Sequence, residues 1–573
     1  MNKIRPVFLL MAIASAALLA YGFLTLPKEQ PAHVEGFSSA RVLEDIEVIS
    51  RDHHSVAHPQ ERAAVRDYLE GRLREMGGEV SLFRYDSLTG PQNKHVEYTF
   101  DAVDVLAEFP PMKESADTTY LMMVAHYDSR YSQPMPADTV WSYGAADDGY
   151  GVGVILETVS QLLKSRQEWN QGVKVLFTDA EEVGMMGMKA IWANDSHVFD
   201  NVGFIINIEG RGTWGPALLF ETSPGNEKIM DLYSDASRYK YTYSLTTVVY
   251  GFMPNFTDFT IVKDHIPGVN FSTIADINSY HTDKDNFSNV SGKTVQHYGE
   301  QILPLAMQYV TDPAYSDKDA LRSDKDTVNF TVPLLGLFNV GETMYVIINV
   351  VIFMIFLLLF GLEGVRGRLK PMRVFKTSCT VLFMAIGVLA VGELIAYLSS
   401  VIAGARFKPF GIVQGVQFDN IVMAACVALT AVAVSFVYWT SRCSAVRLTS
   451  GSLRASAASN AASRFAYSQL YGTLALMFVL SLVLVFVLGE NIMFMIPLTV
   501  ATLALVLWHV TSLKFWLLAA IILILLHAFS FLFALAMALT IGAFGAVLML
   551  AFLDLMVLVP LADIYMTPEK TNK

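Results

Sequence analysis

Six residues between positions 126 and 281 carry side chains that bind metal ions, and their types and spacing indicate hydrolytic chemistry. They stand in five short motifs in chain order: His126 in VAHYD, Asp147 in GAADDGYG, Glu181 and Glu182 in DAEEVG, Glu209 in NIEG, and His281 in SYHTD. Zinc binds imidazole nitrogen and carboxylate oxygen, and a catalytic zinc site keeps one position for water. This set of side chains is what a two-zinc hydrolase needs.

Two histidines and three of the acids divide naturally between two ions. We expect His126 and Glu209 to bind one zinc ion. Glu182 and His281 are expected to bind the other, and Asp147 to bridge the two. Each ion then has three protein ligands, and water completes both sites.

Two further acids have predicted supporting roles. Glu181 stands beside a ligand without being one, which suits it to take a proton from the attacking water. Asp128 follows His126 by two residues, and we expect its carboxylate to contact the second ring nitrogen and fix the tautomer of that histidine.

Apolar segments precede three of the motifs. The stretches TTYLMMV (119–125), GVKVLFTDA (172–180) and NVGFIINIE (201–209) are predicted to be buried β-strands. The run after Asp147 begins with glycines and then becomes helical in pattern, so that acid is predicted to lie on a strand-to-helix turn. Binding residues on open α/β sheets collect at the carboxyl ends of strands, which predicts that these motifs converge.

The combination of motifs resembles the di-zinc aminopeptidase family, of the aminopeptidase Y and bacterial leucyl aminopeptidase type. The resemblance rests on HxD, the aspartate of GxxDDGxG, EExGxxG, an acid after an apolar strand and a late Tyr-His pair, and it covers roughly residues 40–312. It implies an α/β fold with a mixed-sheet zinc-exopeptidase domain, two zinc ions per chain, and removal of amino-terminal residues from peptides.

The resemblance also implies roles for single residues. Glu181 corresponds to the general base and Glu182 to a zinc ligand, while Asp147 bridges. Asp148 corresponds to a residue that often follows a strained peptide bond. Tyr280, just before His281, matches a tyrosine that stabilises the oxyanion in some members.

Glu209 departs from the commonest pattern, because many soluble members have aspartate there. The surrounding NIEGRGTWGPALLFETSPGN is similar to the membrane-anchored subgroup, which includes the vacuolar membrane protease and the endoplasmic reticulum metallopeptidase. That subgroup adds a multi-span membrane domain.

Other polar residues are predicted to be less specific. His53, His54 and His58 in RDHHSVAHP are predicted to form a solvated loop. Four further histidines, among them His297, lack a ligand-rich neighbourhood and are predicted to be structural. For Asp258 in NFTDFT, a site-supporting role and a loop role stay equally open.

Composition indicates a membrane protein. The 573 residues are 53% hydrophobic and only 16% charged, with a mean hydropathy of +0.41, and the apolar excess lies at the two ends. We expect an amino-terminal anchor or signal at 1–27, an exported di-zinc peptidase domain at 28–335 and a multi-span helical domain at 336–573. Seven spans are predicted there, at 341–362, 377–401, 420–440, 467–488, 492–511, 515–536 and 539–561.

Charge in the loops predicts the orientation. The loop 363–376 carries five basic residues, whereas the loop 402–419 carries two, so the positive-inside rule leaves the catalytic domain extracytoplasmic. A bacterial periplasm or outer face is favoured over an organelle lumen, because all three cysteines lie in or beside the membrane part. The serine- and alanine-rich stretch 450–463 is predicted to be a flexible inside loop.

Two other kinds of function stay open at this point. One is a single-zinc glutaminyl cyclase, or a carboxypeptidase, on a related fold; the other is an inactive zinc sensor domain of a membrane transporter. The five-ligand set argues against a single-zinc cyclase, and the complete set of catalytic residues argues against an inactive domain. The expected partners are peptide substrates and membrane lipid, and the net charge of −12 argues against nucleic acid.

Overall fold

The structure is a computed structural model that describes residues 5–24, 26–93, 96–113, 115, 117–130, 141–251, 255–449 and 455–567. Its helices are α1 (Arg5–Leu24), α2 (Ser39–Ile49), α3 (Pro59–Glu75), α4 (Gly149–Leu162), α5 (Met186–Asn194), α6 (Glu227–Ala236), α7 (Ser244–Gly251), α8 (Phe259–Val262), α9 (Gly292–Thr311), α10 (Glu342–Val365), α11 (Pro371–Ala403), α12 (Asp419–Thr449), α13 (Ala455–Leu488), α14 (Ile492–Thr511), α15 (Phe515–Leu539) and α16 (Phe544–Met566). Its strands are β1 (Glu79–Asn93), β2 (Val96–Phe109), β3 (Tyr120–His126), β4 (Gly172–Thr178), β5 (Val202–Glu209), β6 (Trp214–Thr222), β7 (Gly268–Ala275), β8 (Thr327–Val332) and β9 (Gly336–Gly341).

The chain divides into two compact units. The sheet unit comprises Leu26–Thr331 and Gly336–Glu342, and the helical unit comprises Met1–Thr25, Val332–Leu335 and Thr343–Lys573. The strands β1 to β7 and the helices α2 to α9 belong to the first, and α1 and α10 to α16 to the second.

The sheet unit is built on a mixed seven-stranded sheet in the order β1-β2-β4-β3-β5-β7-β6. The four central strands β4, β3, β5 and β7 are parallel. The strands β2 and β6 pair antiparallel with this block, and β1 pairs antiparallel with β2. The α/β fold with a mixed sheet that the sequence predicts is confirmed.

Side-chain alternation along the central strands explains why they are largely apolar. In β3, Leu121 and Met123 pack into a core that includes residues of α2, α4 and α9. Met122 and Val124 point the other way, into a core with residues of α5 and α8. Because helices cover both faces, every residue of β3 is buried, as is usual for parallel strands.

The helical unit contains the apolar segments. Within the described residues, eight helices are long and apolar enough to cross a membrane: α1, α10, α11, α12, α13, α14 and α15, with the eighth running over Ile541–Met566. One amino-terminal and seven later spans are what the sequence predicts. The last two are separated at Thr540, whose positive φ of 57° ends α15.

One loop prediction is wrong in this unit. Residues 455–463, expected to be a flexible loop, form the first turns of α13, whereas 450–454 lie outside the described residues. Alanine has the highest helix propensity of all residues, and it dominates this stretch.

Two ionisable residues within the apolar helices, His509 and Glu393, contact other parts of the helical unit. His509 Nε2 lies 2.6 Å from an Oε1 of Glu363, which also pairs with Arg366 and Arg368. Glu393 accepts a hydrogen bond of 3.2 Å from the backbone N–H of Gly545. These contacts join separate helices, and they fit a structural role.

Candidate metal centre

The predicted ligands lie at one edge of the seven-stranded sheet. His126 is the last residue of β3 and Glu209 the last of β5, and these strands are parallel neighbours. Asp147 precedes α4, and His281 follows β7, the next parallel strand. The carboxyl ends of parallel strands meet at the same edge, which brings together residues that are far apart in sequence.

Side-chain geometry divides five residues into two groups. In the first, His126 Nε2 lies 3.3 Å from Oδ1 of Asp147 and 3.8 Å from Oε2 of Glu209. In the second, His281 Nε2 lies 3.2 Å from Oδ2 of Asp147 and 3.2 Å from Oε2 of Glu182. In each group the possible ligand atoms lie within 4.8 Å of one another. Asp147 belongs to both groups, through a different oxygen in each.

The donor set fits a cation. Three of its buried atoms have no hydrogen-bond partner among the described residues: Asp147 Oδ2, Glu182 Oε1 and His281 Nε2. Burial raises the pKa of Glu182 and of Glu209, and the neighbouring carboxylates raise it further. Bringing these acids together in ionised form therefore requires positive charge, which a bound metal ion supplies.

Asp128 has a second role besides the predicted contact with His126. The nearest partner of His126 Nδ1 is the backbone carbonyl oxygen of Asp128 at 2.9 Å, and the carboxylate lies farther away at 3.5 Å. That carboxylate also accepts hydrogen bonds from the backbone N–H groups of Glu181 at 2.9 Å and Glu182 at 3.3 Å. Asp128 thus contacts His126 through its main chain and its side chain, and the side chain also orients the acid pair.

The sequence predicts that the acid pair lies at the end of a strand, but in the structure the pair lies beyond the strand. The strand β4 ends at Thr178, and Glu181 and Glu182 lie on a short 3-10 turn, Glu181–Val183. Arg130 forms an ion pair of 3.1 Å with Oε2 of Glu182. Glu181 belongs to neither ligand group, and burial, with Glu209, Asp258 and Glu182 nearby, raises its pKa well above the usual value.

The turn that presents Asp147 is fixed on both sides. The peptide bond between Asp147 and Asp148 is cis, and Asp148 caps α4 by accepting a hydrogen bond of 3.0 Å from the backbone N–H of Gly151. Gly210, just after Glu209, is required because a Cβ there would lie 1.7 Å from the carbonyl oxygen of Ala146. The end of β5 therefore touches the turn before Asp147 through backbone alone.

Asp285 also holds this turn, and sequence reasoning missed it. Its carboxylate accepts hydrogen bonds from the backbone N–H groups of Ala146 at 2.6 Å and Asp147 at 3.3 Å, and from the hydroxyl of Ser142 at 3.0 Å. It is 1% exposed. The only sequence signal is an acid four residues after His281, in a segment with several acids.

Tyr280 and His281 lie in direct contact. Their rings stack with centroids 3.6 Å apart, and His281 has a left-handed φ of 58°. Burial and the carboxylates of Asp147 and Glu182 raise the pKa of Tyr280 well above the usual value. The phenol therefore keeps its proton.

Asp258 is buried at the edge of the sheet where the site lies, and it does not belong to an exposed loop. It is 1% exposed, and it accepts a hydrogen bond from the hydroxyl of Thr178, the last residue of β4. Burial raises the pKa of Asp258 to about 6.

The prediction of a solvated histidine loop is wrong. His54 is 2% exposed, and its burial lowers its pKa to about 4. The ring of His53 lies 4.0 Å from that of Tyr143, and the ring of His58 lies 4.6 Å from that of Trp141. The aromatic residues that cover these histidines are more than 80 positions away, so the local sequence gave no sign of them.

Comparison with known proteins bears on this site. Residues 104–306 match the model of peptidase family M28. The vacuolar membrane protease of Eremothecium gossypii is 28% identical over 311 residues, which are 50% of this chain and 28% of that protein. Endoplasmic reticulum metallopeptidase 1 of Homo sapiens is 27% identical over 256 residues, which are 43% of this chain and 26% of that protein. The matched segment spans about a quarter of each relative's length.

Two solved structures are similar to the same part of the chain. A Zn-dependent exopeptidase from Parabacteroides distasonis is 21% identical with a TM-score of 0.37, over 48% of this chain and 98% of that one. A glutaminyl cyclase from Bacteroides thetaiotaomicron is 17% identical with a TM-score of 0.38, over 49% of this chain and 99% of that one. Together with the family match, the mixed sheet and the two groups of ligands at its edge lead to one conclusion. Residues 104–306 of this chain are a peptidase family M28 domain.

Proposed function

We propose that the protein is a membrane-anchored exopeptidase that uses two zinc ions to remove amino-terminal residues from peptides. The observation that carries this proposal is the position of Asp147, whose Oδ1 lies 3.3 Å from His126 and whose Oδ2 lies 3.2 Å from His281. A carboxylate shared in this way suits a bridge between two ions.

The proposed ligands follow the two groups. His126 and Glu209 hold one ion, Glu182 and His281 hold the other, and Asp147 contributes to both. Zinc ions bound there polarise the scissile carbonyl and lower the pKa of the attacking water.

The chain's own residues supply the proton transfer. Glu181 takes a proton from the attacking water and passes it to the leaving amine, and its raised pKa suits a group that must accept and then release a proton. The backbone of Glu181 is held by Asp128, which keeps the carboxylate in place. Tyr280 donates a hydrogen bond to the developing oxyanion.

Acidic groups also suit the amino terminus of the proposed peptide substrate. A free amino terminus is cationic, and Glu209 and Glu181 provide negative charge beside one ion. An amine bound there sets the scissile bond one residue from the end of the peptide, which gives exopeptidase action. Peptides are therefore the proposed partners.

The proposed setting is extracytoplasmic. The loop between α10 and α11 carries basic residues that favour the inside of a membrane, and α10 alone separates this loop from the sheet unit in sequence. Membrane lipid is the second proposed partner, with α1 as a retained anchor.

The test measures metal content and hydrolysis of aminoacyl chromogenic substrates by the full-length protein in detergent. Glu181→Gln is expected to lower kcat by about 100-fold to 10,000-fold while two zinc ions per chain remain bound. The matched control is Glu79→Gln, an exposed isosteric change at the start of β1, which should leave activity unchanged.

Each other outcome contradicts a defined part of the proposal. Full activity in Glu181→Gln would show that another group is the base. One zinc ion per chain would favour the cyclase reaction, and two bound ions without any hydrolysis would favour a sensor domain.

A further inference from the structure

Arg211 is a half-buried cation near the metal centre, and among the described residues it has no ion-pair partner. It lies two residues after Glu209, and its Nε and Nη2 atoms are shielded from solvent without a hydrogen-bond partner in the part of the chain that the structure describes. Across those residues, no carboxylate lies within 4.0 Å of its guanidinium group. A charge held away from water without a partner is costly, so such an arrangement calls for an explanation.

Three other cationic side chains of the sheet unit that are shielded from solvent form ion pairs with carboxylates. Arg62 lies 3.3 Å from Asp179, Lys174 lies 3.0 Å from Glu108, and Lys263 lies 2.6 Å from Glu221. Even Arg130, at the rim of the metal centre, pairs with Glu182. The unpaired state of Arg211 is therefore not the general rule of this fold.

The backbone around Arg211 is held firmly in place. Its N–H donates a hydrogen bond of 3.2 Å to the hydroxyl of Ser272, and the N–H of Gly212 donates one of 3.0 Å to Thr273. A Cβ on Gly212 would lie 1.9 Å from the carbonyl oxygen of Ala275, as close an approach as that of Gly210 on the other side. The position of the arginine is thus fixed in advance of any ligand.

The neighbouring groups locate the guanidinium beside the reaction centre. The side chains of Tyr280, Tyr250 and Asp147 lie close enough to the guanidinium group to interact with it electrostatically. Tyr280 is the proposed oxyanion donor and Asp147 the proposed bridge. An anion paired with Arg211 would therefore lie close to the bond that is cleaved.

We propose that Arg211 binds a carboxylate of the substrate and makes the enzyme selective for peptides with a carboxylate close to the scissile bond. The guanidinium presents a planar fork of N–H donors that matches a carboxylate, and such charge-assisted pairs are strong where water is excluded. The carboxylate has two possible sources, the carboxyl terminus of a dipeptide or an acidic side chain next to the scissile bond. This inference rests on the proposed exopeptidase function and adds its substrate class.

The test compares matched substrates that differ only in one charge. Leu-Gly against Leu-Gly amide reports on the terminal carboxylate, and Leu-Asp amide against Leu-Asn amide reports on an acidic side chain. We expect wild type to prefer the acid in one of the pairs by about 10-fold to 100-fold in kcat/KM, mainly through KM. Arg211→Gln should abolish that preference, and Arg211→Lys should retain part of it because it keeps the charge but not the fork.

Two control measurements distinguish a role of Arg211 in substrate binding from an effect on folding. Arg211→Gln should not lower the melting temperature of the full-length protein, because it removes an unpaired, half-buried charge. Arg238→Gln, a change of an exposed arginine in the same unit, should leave the preference intact.

The outcomes separate this inference from the proposed function. Hydrolysis without preference for either acid, or a preference that survives in Arg211→Gln, overturns the inference while leaving the exopeptidase proposal in place. An equal loss of kcat on acid and amide substrates also overturns it. If nothing is hydrolysed, isothermal titration of zinc-loaded protein with each acid and its amide decides: tighter binding of an acid that depends on Arg211 supports the inference, and equal binding refutes it.

Discussion

Asp147 depends on residues that are not expected to touch a metal ion. Asp285 accepts hydrogen bonds from the main chain of Ala146 and Asp147, Asp148 caps the helix that follows, and Gly210 lets β5 approach the turn. A shared carboxylate must direct two oxygens in two directions, so small rotations of its backbone would move both groups of ligands. Its position is therefore set by backbone contacts.

We expect Asp285→Ala to weaken metal binding and folding together. The change leaves the N–H groups of Ala146 and Asp147 buried without acceptors, which costs about 1–3 kcal/mol each. Zinc content after dialysis and the melting temperature should both fall. Asp283→Ala, two positions away and exposed, is the matched control and should match wild type. Full zinc content in Asp285→Ala would show that the turn is held by other contacts.

The contact between α9 and β6 illustrates how elements hold the sheet unit. His297 on α9 is 5% exposed, and its Nδ1 accepts a hydrogen bond of 3.0 Å from the backbone N–H of Ala217 on β6. Gln301, one turn later, donates a hydrogen bond of 2.9 Å to the carbonyl oxygen of the same residue. The helix thus satisfies the backbone of an outer strand at a bulge in its pairing with β7.

This contact predicts a pH dependence of stability. Burial lowers the pKa of His297 to about 4 from its ordinary value of 6.5. Between these values the unfolded chain binds a proton that the folded chain does not, so stability is lost as pH falls through this window, by about 3 kcal/mol in total. Above pH 6.5 both states are neutral and the effect is absent.

His297→Asn keeps an acceptor for the N–H of Ala217 but does not titrate. We expect its melting temperature to fall less than that of wild type between pH 6.5 and 4, as measured by tryptophan fluorescence of the full-length protein. The exposed His33→Asn change should follow wild type. Parallel curves for wild type and His297→Asn would contradict a neutral buried histidine.

The whole molecule combines a polar catalytic unit with a set of apolar helices. The helices α10 and α11 are linked by residues 366–370, which contain three basic side chains, Arg366, Arg368 and Lys370. The cost of moving such charges across a bilayer favours keeping this link inside, so we expect the sheet unit, which precedes α10, to lie outside.

Cysteine labelling tests this orientation. In a chain whose three native cysteines are replaced by alanine, we introduce either Lys318→Cys in the sheet unit or Lys370→Cys at the start of α11; both positions are exposed. A membrane-impermeant maleimide added to intact cells should label only the first, and permeabilised cells should label both. Labelling of Lys370→Cys alone in intact cells would reverse the proposed topology.

Local sequence was sufficient for much of this protein. Apolar runs predicted three of the four central strands, β3, β4 and β5, to within two residues at their ends, because strands covered on both faces are mostly apolar. The same physical reason, the exclusion of charge from an apolar environment, predicted the eight apolar helices. Three of the proposed zinc ligands, His126, Glu182 and Glu209, lie at or just beyond the ends of those runs.

Tertiary structure decided what depends on distant partners. Asp285 lies 138 positions from the turn it holds, the histidines near position 54 are covered by Trp141 and Tyr143, and the carboxylate of Asp128 contacts the acid pair as well as His126. The unpaired state of Arg211 can be recognised only after every neighbouring carboxylate has been located. Periodicity reports the environment of a segment, whereas hydrogen-bond partners and missing counter-charges arise only when the folded chain brings separate segments together.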